Sequence, residues 1–138
     1  MDPVRIGLIG CGTISGAYLR AAATFDILRF VGCADIDASA AGRTQERFGV
    51  PAMSVDELLE RDDVEVILNL TIPAAHGAVN LAALEAGKHA YCEKPFGLDV
   101  AEGQRVLAAA DAAGLRVGCA PDTFLGGARP QRQHQRPG

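Results

Sequence analysis

The stretch GLIGCGTISG, Gly7 to Gly16, stands between an apolar run that begins at Val4 and a helical pattern that reaches Phe25. Glycines between a strand and a helix are the setting a phosphate-binding turn requires: one permits the tight turn, and another lets backbone approach a pyrophosphate at the helix N-terminus. Gly10 and Gly12 hold those two positions, and Thr13 and Ile14 follow in the loop. Ser15 occupies the third position of the GxGxxG fingerprint, with Gly16 beside it. Serine is small enough for close helix packing, so the departure weakens the motif without removing it. The plain alternative is a turn that uses glycine for its backbone freedom alone.

On either side of the loop, Val4 to Ile9 reads as the first strand and TISGAYLRAAATF as a helix, with Ile14, Ala17, Tyr18, Ala21 and Ala22 recurring on one face. ILRFVGCAD is a second strand that ends at Asp35, about 20 residues after the glycines, where a carboxylate accepts hydrogen bonds from adenosine ribose hydroxyls. The same charge repels a 2'-phosphate and no arginine immediately follows, so NAD is expected in preference to NADP, with Arg43 the side chain able to swing in. The alternative for Asp35 is a capping or solvated acid.

The alternation continues. DASAAGRTQERFG is a helix capped by Asp37 and stopped by Gly49, and Ser54 with Glu57 forms a capping box for a short helix. VEVILNLTI is the most apolar run and reads as a central strand buried on both faces. PAAHGAVNLAALEAG is a helix, KHAYCEK a strand, and Asp99 with Glu102 a second capping box before a helix that stops at Gly114. LRVGCA is the last strand. Successive strand and helix units of this kind predict an α/β fold, a Rossmann-type doubly wound parallel sheet with helices on both faces. From Gly126 the chain becomes GGARPQRQHQRPG, with no acid and almost nothing apolar. The expected organisation is a nucleotide-binding domain over 1–125 and a disordered basic tail over 126–138.

Composition narrows the partners. A net charge of -4 in a chain of 138 residues disfavours nucleic acid, which calls for a basic surface. No run approaches membrane-spanning length and no basic leader precedes an apolar stretch, so a soluble cytoplasmic protein without membrane contact is expected. Cys11, Cys33, Cys92 and Cys119 lack metal or redox spacing and read as small buried residues in a reducing compartment, with no metal site.

Three segments, GLIGCGTISGAYL, NLTIPAAHGAVNLAALEAGKHAYCEKPFGLD and GCAPDTFLG, together resemble the Gfo/Idh/MocA oxidoreductase family from Val4 to about Gly127. AGKHAYCEKP is the most specific part. The resemblance implies an N-terminal domain that holds a nicotinamide dinucleotide, and a family reaction of hydride transfer between that cofactor and a sugar, inositol or related polyol. It implies that Lys94 is the catalytic lysine beside the nicotinamide and the substrate hydroxyl, and that Glu93 lies near the nicotinamide ribose. It sets Thr71, Pro73 and His76 beside the cofactor, although for His76 a solvent-facing place at a helix start is an equal reading. Lys94 itself has the alternative of a surface lysine. A cis Lys94–Pro95 bond is expected. His89 reads as structural, His134 as a solvated tail residue, and Cys92 as core.

The family pattern continues into a substrate domain where this sequence turns to Arg, Pro, Gln and Gly, a change that a shifted reading frame in GC-rich DNA would produce. The expectation is a domain inactive alone, because the groups that place a substrate carbon against the nicotinamide are missing. Apolar surface left uncovered predicts self-association. Two other readings are an NAD-binding interaction module without catalysis, and a Rossmann methyltransferase, against which the EKP motif counts.

Overall fold

The computed structural model describes residues 2–121. The tail expected over 126–138, with His134, lies outside the described residues.

Five strands, β1 (Val4–Ile9), β2 (Leu28–Ala34), β3 (Val66–Asn69), β4 (His89–Cys92) and β5 (Val117–Cys119), form one parallel sheet in the order β2-β1-β3-β4-β5. An isolated parallel bridge between Cys33 and Ala52 adds a vestigial sixth position outside β2. The helices are α1 (Ser15–Ala22), α2 (Ala38–Phe48), α3 (Val55–Glu60), α4 (His76–Glu85) and α5 (Val100–Ala113). A 3-10 turn, Pro73–Ala75, precedes α4. The chain winds from β1 outward to β2, then crosses back to enter β3 on the other side of β1, which makes the carboxyl ends of β1 and β3 a switch point. Ligands bind in the crevice that such a reversal opens.

Alternation along the strands feeds two cores. Ile6, Leu8, Cys33, Leu68 and Leu70 face Leu19 of α1 and Ala40 and Ala41 of α2 on one side. Ile9, Ala34, Ile67 and Ala90 face Leu58 of α3 and Ala83 of α4 on the other. A register shift between Ile6 and Gly7, opposite Phe30 and Gly32, leaves Val31 as a bulge. The extra residue resets the phase, so Phe30 and Cys33 contribute to the same core despite their odd spacing.

The α2 cap is as read: Asp37 Oδ1 accepts from the Ser39 amide at 3.0 Å. Its carboxyl is held below the usual range by the Ser39 hydroxyl and then the Ser39 amide. Ser54 and Glu57 form the full reciprocal box. The second box is only half formed, because Glu102 reaches the Leu98 amide at 3.4 Å instead of that of Asp99. The buried stripe of α1 also differs from the reading. Ser15, Gly16, Leu19 and Ala22 are buried, whereas Ile14 is 44% exposed. The small residues at the helix start let it approach the glycine loop closely, and this rotation sends Leu19 into the core.

Toward the β5 edge, the sheet face that carries Tyr91 and Gly118 lies open among the described residues. Val66, Tyr91, Val117 and Gly118 floor an open cavity of about 420 Å³ there. The Tyr91 ring lies across Gly118, where a Cβ would stand 2.9 Å from it.

Candidate functional site

The first half of the site is the loop after β1. Gly10 has φ 102° and lies so close to Leu70 that a Cβ would meet its carbonyl carbon at 2.5 Å, so both conformation and space demand glycine. Gly12 is different: a Cβ there would meet nothing within 4 Å. The protein's own packing gains nothing from its bareness, which leaves the approach over the loop open. The Ser15 hydroxyl donates to the Gly12 carbonyl at 2.6 Å and fixes the turn from below. No side chain caps α1, and its first turn holds no acid, whereas α2, α3 and α5 are capped by Asp37, Ser54 and Asp99. Within that first turn the Ser15 amide donates to the Gly12 carbonyl and the Ala17 amide to the Ile14 carbonyl, both at 3.1 Å, which leaves the Gly16 amide without an acceptor among the described residues and the positive end of the helix dipole behind it.

Asp35 closes this half. Its Oδ2 accepts from the Cys11 amide at 2.8 Å and its Oδ1 from the Asp37 amide at 2.8 Å. Two backbone donors lock the carboxylate to the glycine loop, and each oxygen keeps a lone pair for a further donor. A groove of about 470 Å³ runs from Gly12, Thr13 and Gly16 to Arg43 and Arg47 of α2. Arg43 is drawn back along its helix, donating to the Ser39 hydroxyl at 3.3 Å. Ile36 and Ile72, both exposed, follow β2 and β3 at the same end of the sheet.

The second half is built at the ends of β3 and β4. Asn69 is fully buried; its Nδ2 donates to the His76 carbonyl at 3.0 Å and to Asn80 Oδ1 at 2.9 Å. Its Oδ1 accepts from the Thr71 amide at 3.2 Å and the Thr71 hydroxyl at 2.6 Å. His76 is 1% exposed and so does not face solvent. Its Nδ1 lies 2.6 Å from the Pro95 carbonyl and its Nε2 2.8 Å from that of Thr71. Pro73 opens the 3-10 turn between them. Glu93 accepts a hydrogen bond from the Tyr18 hydroxyl of α1, which ties the two halves together. Burial, and then the Glu93 carboxylate, push the Tyr18 phenol above its ordinary range. Lys94 is exposed at the mouth, and its bond to Pro95 is cis, as expected.

Gly10, Gly12, Thr13, Ile14 and Asp35 thus gather on one side of the crevice and Thr71, His76 and Glu93 on the other. His89 takes a structural place, its Nδ1 accepting from the Arg116 amide at 3.0 Å. Cys11, Cys33 and Cys92 are buried as read, and Cys119 is half-buried beside Cys92, its thiol pushed up to about 11 chiefly by burial. Among the described residues, no three metal-ligating side chains converge. Sequence reading missed Tyr18 and Asn69 as members of the site. A lone amide in the apolar run VILNL was the available signal for Asn69; nothing local marks Tyr18. An open approach over Gly12, a helix start without a side-chain cap below it and a fixed carboxylate beside it fit a dinucleotide.

Residues 4–120 match the model of the Gfo/Idh/MocA group, described as an oxidoreductase family with an NAD-binding Rossmann fold. The chain is 32% identical over 118 residues to inositol 2-dehydrogenase of Salmonella typhimurium, an alignment that takes in 83% of this chain and 35% of the relative. Among solved structures, the WlbA dehydrogenase of Chromobacterium violaceum, in complex with NADH and UDP-GlcNAcA, superposes with a TM-score of 0.85 at 25% identity, covering 90% of this chain and 36% of that one. KijD10, a 3-ketoreductase of Actinomadura kijaniata in complex with TDP-benzene and NADP, gives 0.78 at 35% identity over 86% of this chain and 38% of its own. The chain spans about a third of the length of the relatives it matches. With the fold, the glycine loop and the family match in agreement, this chain belongs to the Gfo/Idh/MocA oxidoreductase family and carries its NAD(P)-binding Rossmann domain.

Proposed function

We propose that the crevice binds NAD(H) in preference to NADP(H), as the nucleotide-binding unit, over 1–125, of an oxidoreductase acting on a hydroxyl of a sugar, inositol or related polyol. The observation that carries the cofactor reading is Asp35, locked by the Cys11 and Asp37 amides beside the open approach to Gly12. A fixed carboxylate accepts ribose hydroxyls and opposes a phosphate at the same place. Arg43, engaged with Ser39, does not neutralise it. Gly10, Gly12, Thr13 and Ile14 receive the pyrophosphate at the start of α1. Thr71, Pro73, His76 and Glu93 frame the nicotinamide end.

The bound dinucleotide supplies or accepts a hydride. Lys94, exposed at the crevice mouth, is the residue we assign to the reacting hydroxyl: its neutral amine would take the hydroxyl proton as hydride leaves the carbon, and in the reverse direction its ammonium would return that proton to the carbonyl oxygen. The substrate class rests on relatives named as an inositol dehydrogenase and a 3-ketoreductase. Cofactor binding is the part of that activity which the described residues themselves supply. Four free cysteines accord with a reducing, cytoplasmic setting.

Calorimetric titration with NADH and NADPH tests the reading. Saturable binding that favours NADH and is lost in Asp35→Ala is expected; equal or tighter binding of NADPH overturns the preference, and no binding of either by folded chain overturns the assignment. A second reading, an interaction module that binds NAD without turnover, is favoured by the bare sheet face around Tyr91 and Gly118. It predicts concentration-dependent self-association, and a monomer across the accessible range in sedimentation counts against it.

A further inference from the structure

Two carboxylates stand at the crevice, and both are held by the same stretch of chain. Asp35, at the end of β2, accepts from the Cys11 amide of the glycine loop at 2.8 Å. Glu93, after β4, accepts from the hydroxyl of Tyr18, which sits on the helix that the loop opens. In the strand order β2-β1-β3-β4 the two ends lie three strand spacings apart, roughly 14 Å. One sugar is too short to touch both acids, whereas two sugars joined through a pyrophosphate are long enough.

We infer that Tyr18 is a positioning residue: its hydroxyl holds the Glu93 carboxylate as the acceptor for the second ribose of the dinucleotide, so that the glycine loop and α1 set both acids for one ligand. The inference rests on the reading of Glu93 given under Proposed function. Glu93 needs such a hold. Its amide donates to the Asn69 carbonyl at 3.3 Å, which continues the β4 ladder by one residue but fixes the backbone alone. Among the described residues, Arg5 pairs with Glu65 and Arg61 with Asp63, and Glu93 has no ion pair. No cation therefore orients its carboxylate. The phenol does so through one oxygen, by a charge-assisted hydrogen bond, and the other oxygen meets no donor among the described residues. Tyr18 serves as a fixed point because its own helix is fixed: Leu19 beside it is buried in the core, and the Ser15 hydroxyl donates to the Gly12 carbonyl at 2.6 Å. Phenylalanine in its place keeps the packing of the ring and drops only the donor. The glutamate side chain, long and rich in rotamers, then loses its one orientation.

Three ligands, each longer by one part, test this by calorimetry on the full-length chain. ADP ends at the pyrophosphate, ADP-ribose adds the second ribose, and NADH adds the ring. Tyr18→Phe is expected to weaken ADP-ribose and NADH alike by about tenfold and to leave ADP within about twofold. In a Glu93→Ala background the same substitution is expected to change nothing further, because the hydroxyl acts through that carboxylate. A side chain that merely braced the fold would weaken all three ligands. Equal loss on all three, loss on none, or loss on NADH alone overturns the inference, as does a further tenfold loss in the Glu93→Ala background. If Tyr18→Phe does not fold, Glu93→Ala decides: weaker ADP-ribose and NADH with ADP intact is expected, and a loss that ADP shares overturns the inference. A parent chain that binds none of the three overturns the functional reading and this inference together, whereas a parent that binds them and a variant that fails the pattern overturn this inference alone.

Discussion

Gly12 separates binding from folding. Because its missing Cβ leaves open space and not a packed contact, Gly12→Ala is expected to melt like the parent and yet bind NADH about tenfold more weakly, a difference of roughly 1.4 kcal/mol. Calorimetry beside thermal denaturation reads both, and an unchanged affinity would show that no ligand lies on this loop. Lys88 is the opposite case. It is 4% exposed, and its Nζ donates to the carbonyls of Arg61 at 2.6 Å and Val64 at 3.0 Å, so it braces the loop that enters β3. Lys88→Met leaves two carbonyls unpaired and is expected to cost about 3 kcal/mol, seen as a lower urea midpoint at unchanged slope. Residues whose job is set by backbone chemistry were legible in the sequence: Gly10 and Asp35 are where the turn and the strand end require them. Lys88 and His76 were not, because the carbonyls they serve come from elements distant in the chain.

At the scale of elements, local signals were read well and orientation was not. Asp37, Ser54 and Asp99 cap the helices they were expected to cap, since a cap is a contact among neighbours in sequence. Ser54→Ala removes one arm of a complete box and is expected to cost about 1 kcal/mol by chemical denaturation. The rotation of α1 and the bulge at Val31 escaped because both answer to packing across the sheet. Tyr18 illustrates the cost of missing them: a residue assigned to an apolar stripe instead donates a hydrogen bond to Glu93. Its phenol binds a proton more tightly in the folded chain than in the unfolded one. That contribution is therefore intact below about pH 10, the ordinary tyrosine value, and is lost as the pH rises through the higher folded value. Alkaline unfolding is expected to be shallower in Tyr18→Phe above pH 10; parallel curves for the two proteins would show that the pair does not couple to stability.

For the whole molecule, the parallel sheet and the placement of helices on both faces were legible because a regular alternation of strands and helices admits few topologies. The Ala52 bridge was not, since it leaves no pattern in the sequence. A ligand held by two halves of one sheet end should stabilise the whole chain. NADH at a hundred times its dissociation constant is expected to add about 2.7 kcal/mol and raise the melting temperature by the order of 10 °C, and a melt insensitive to NADH would count against a preformed crevice.

Of the two lysines, one is buried as a brace and the other stands at the crevice mouth. Amine-directed reagents therefore have a single side-chain target besides the amino terminus. Coupling the protein to a sensor surface through its amines would tether it by the very residue under study and obstruct the crevice. The same scarcity makes Lys94 a natural handle for a single fluorophore, placed where an arriving ligand would change its emission.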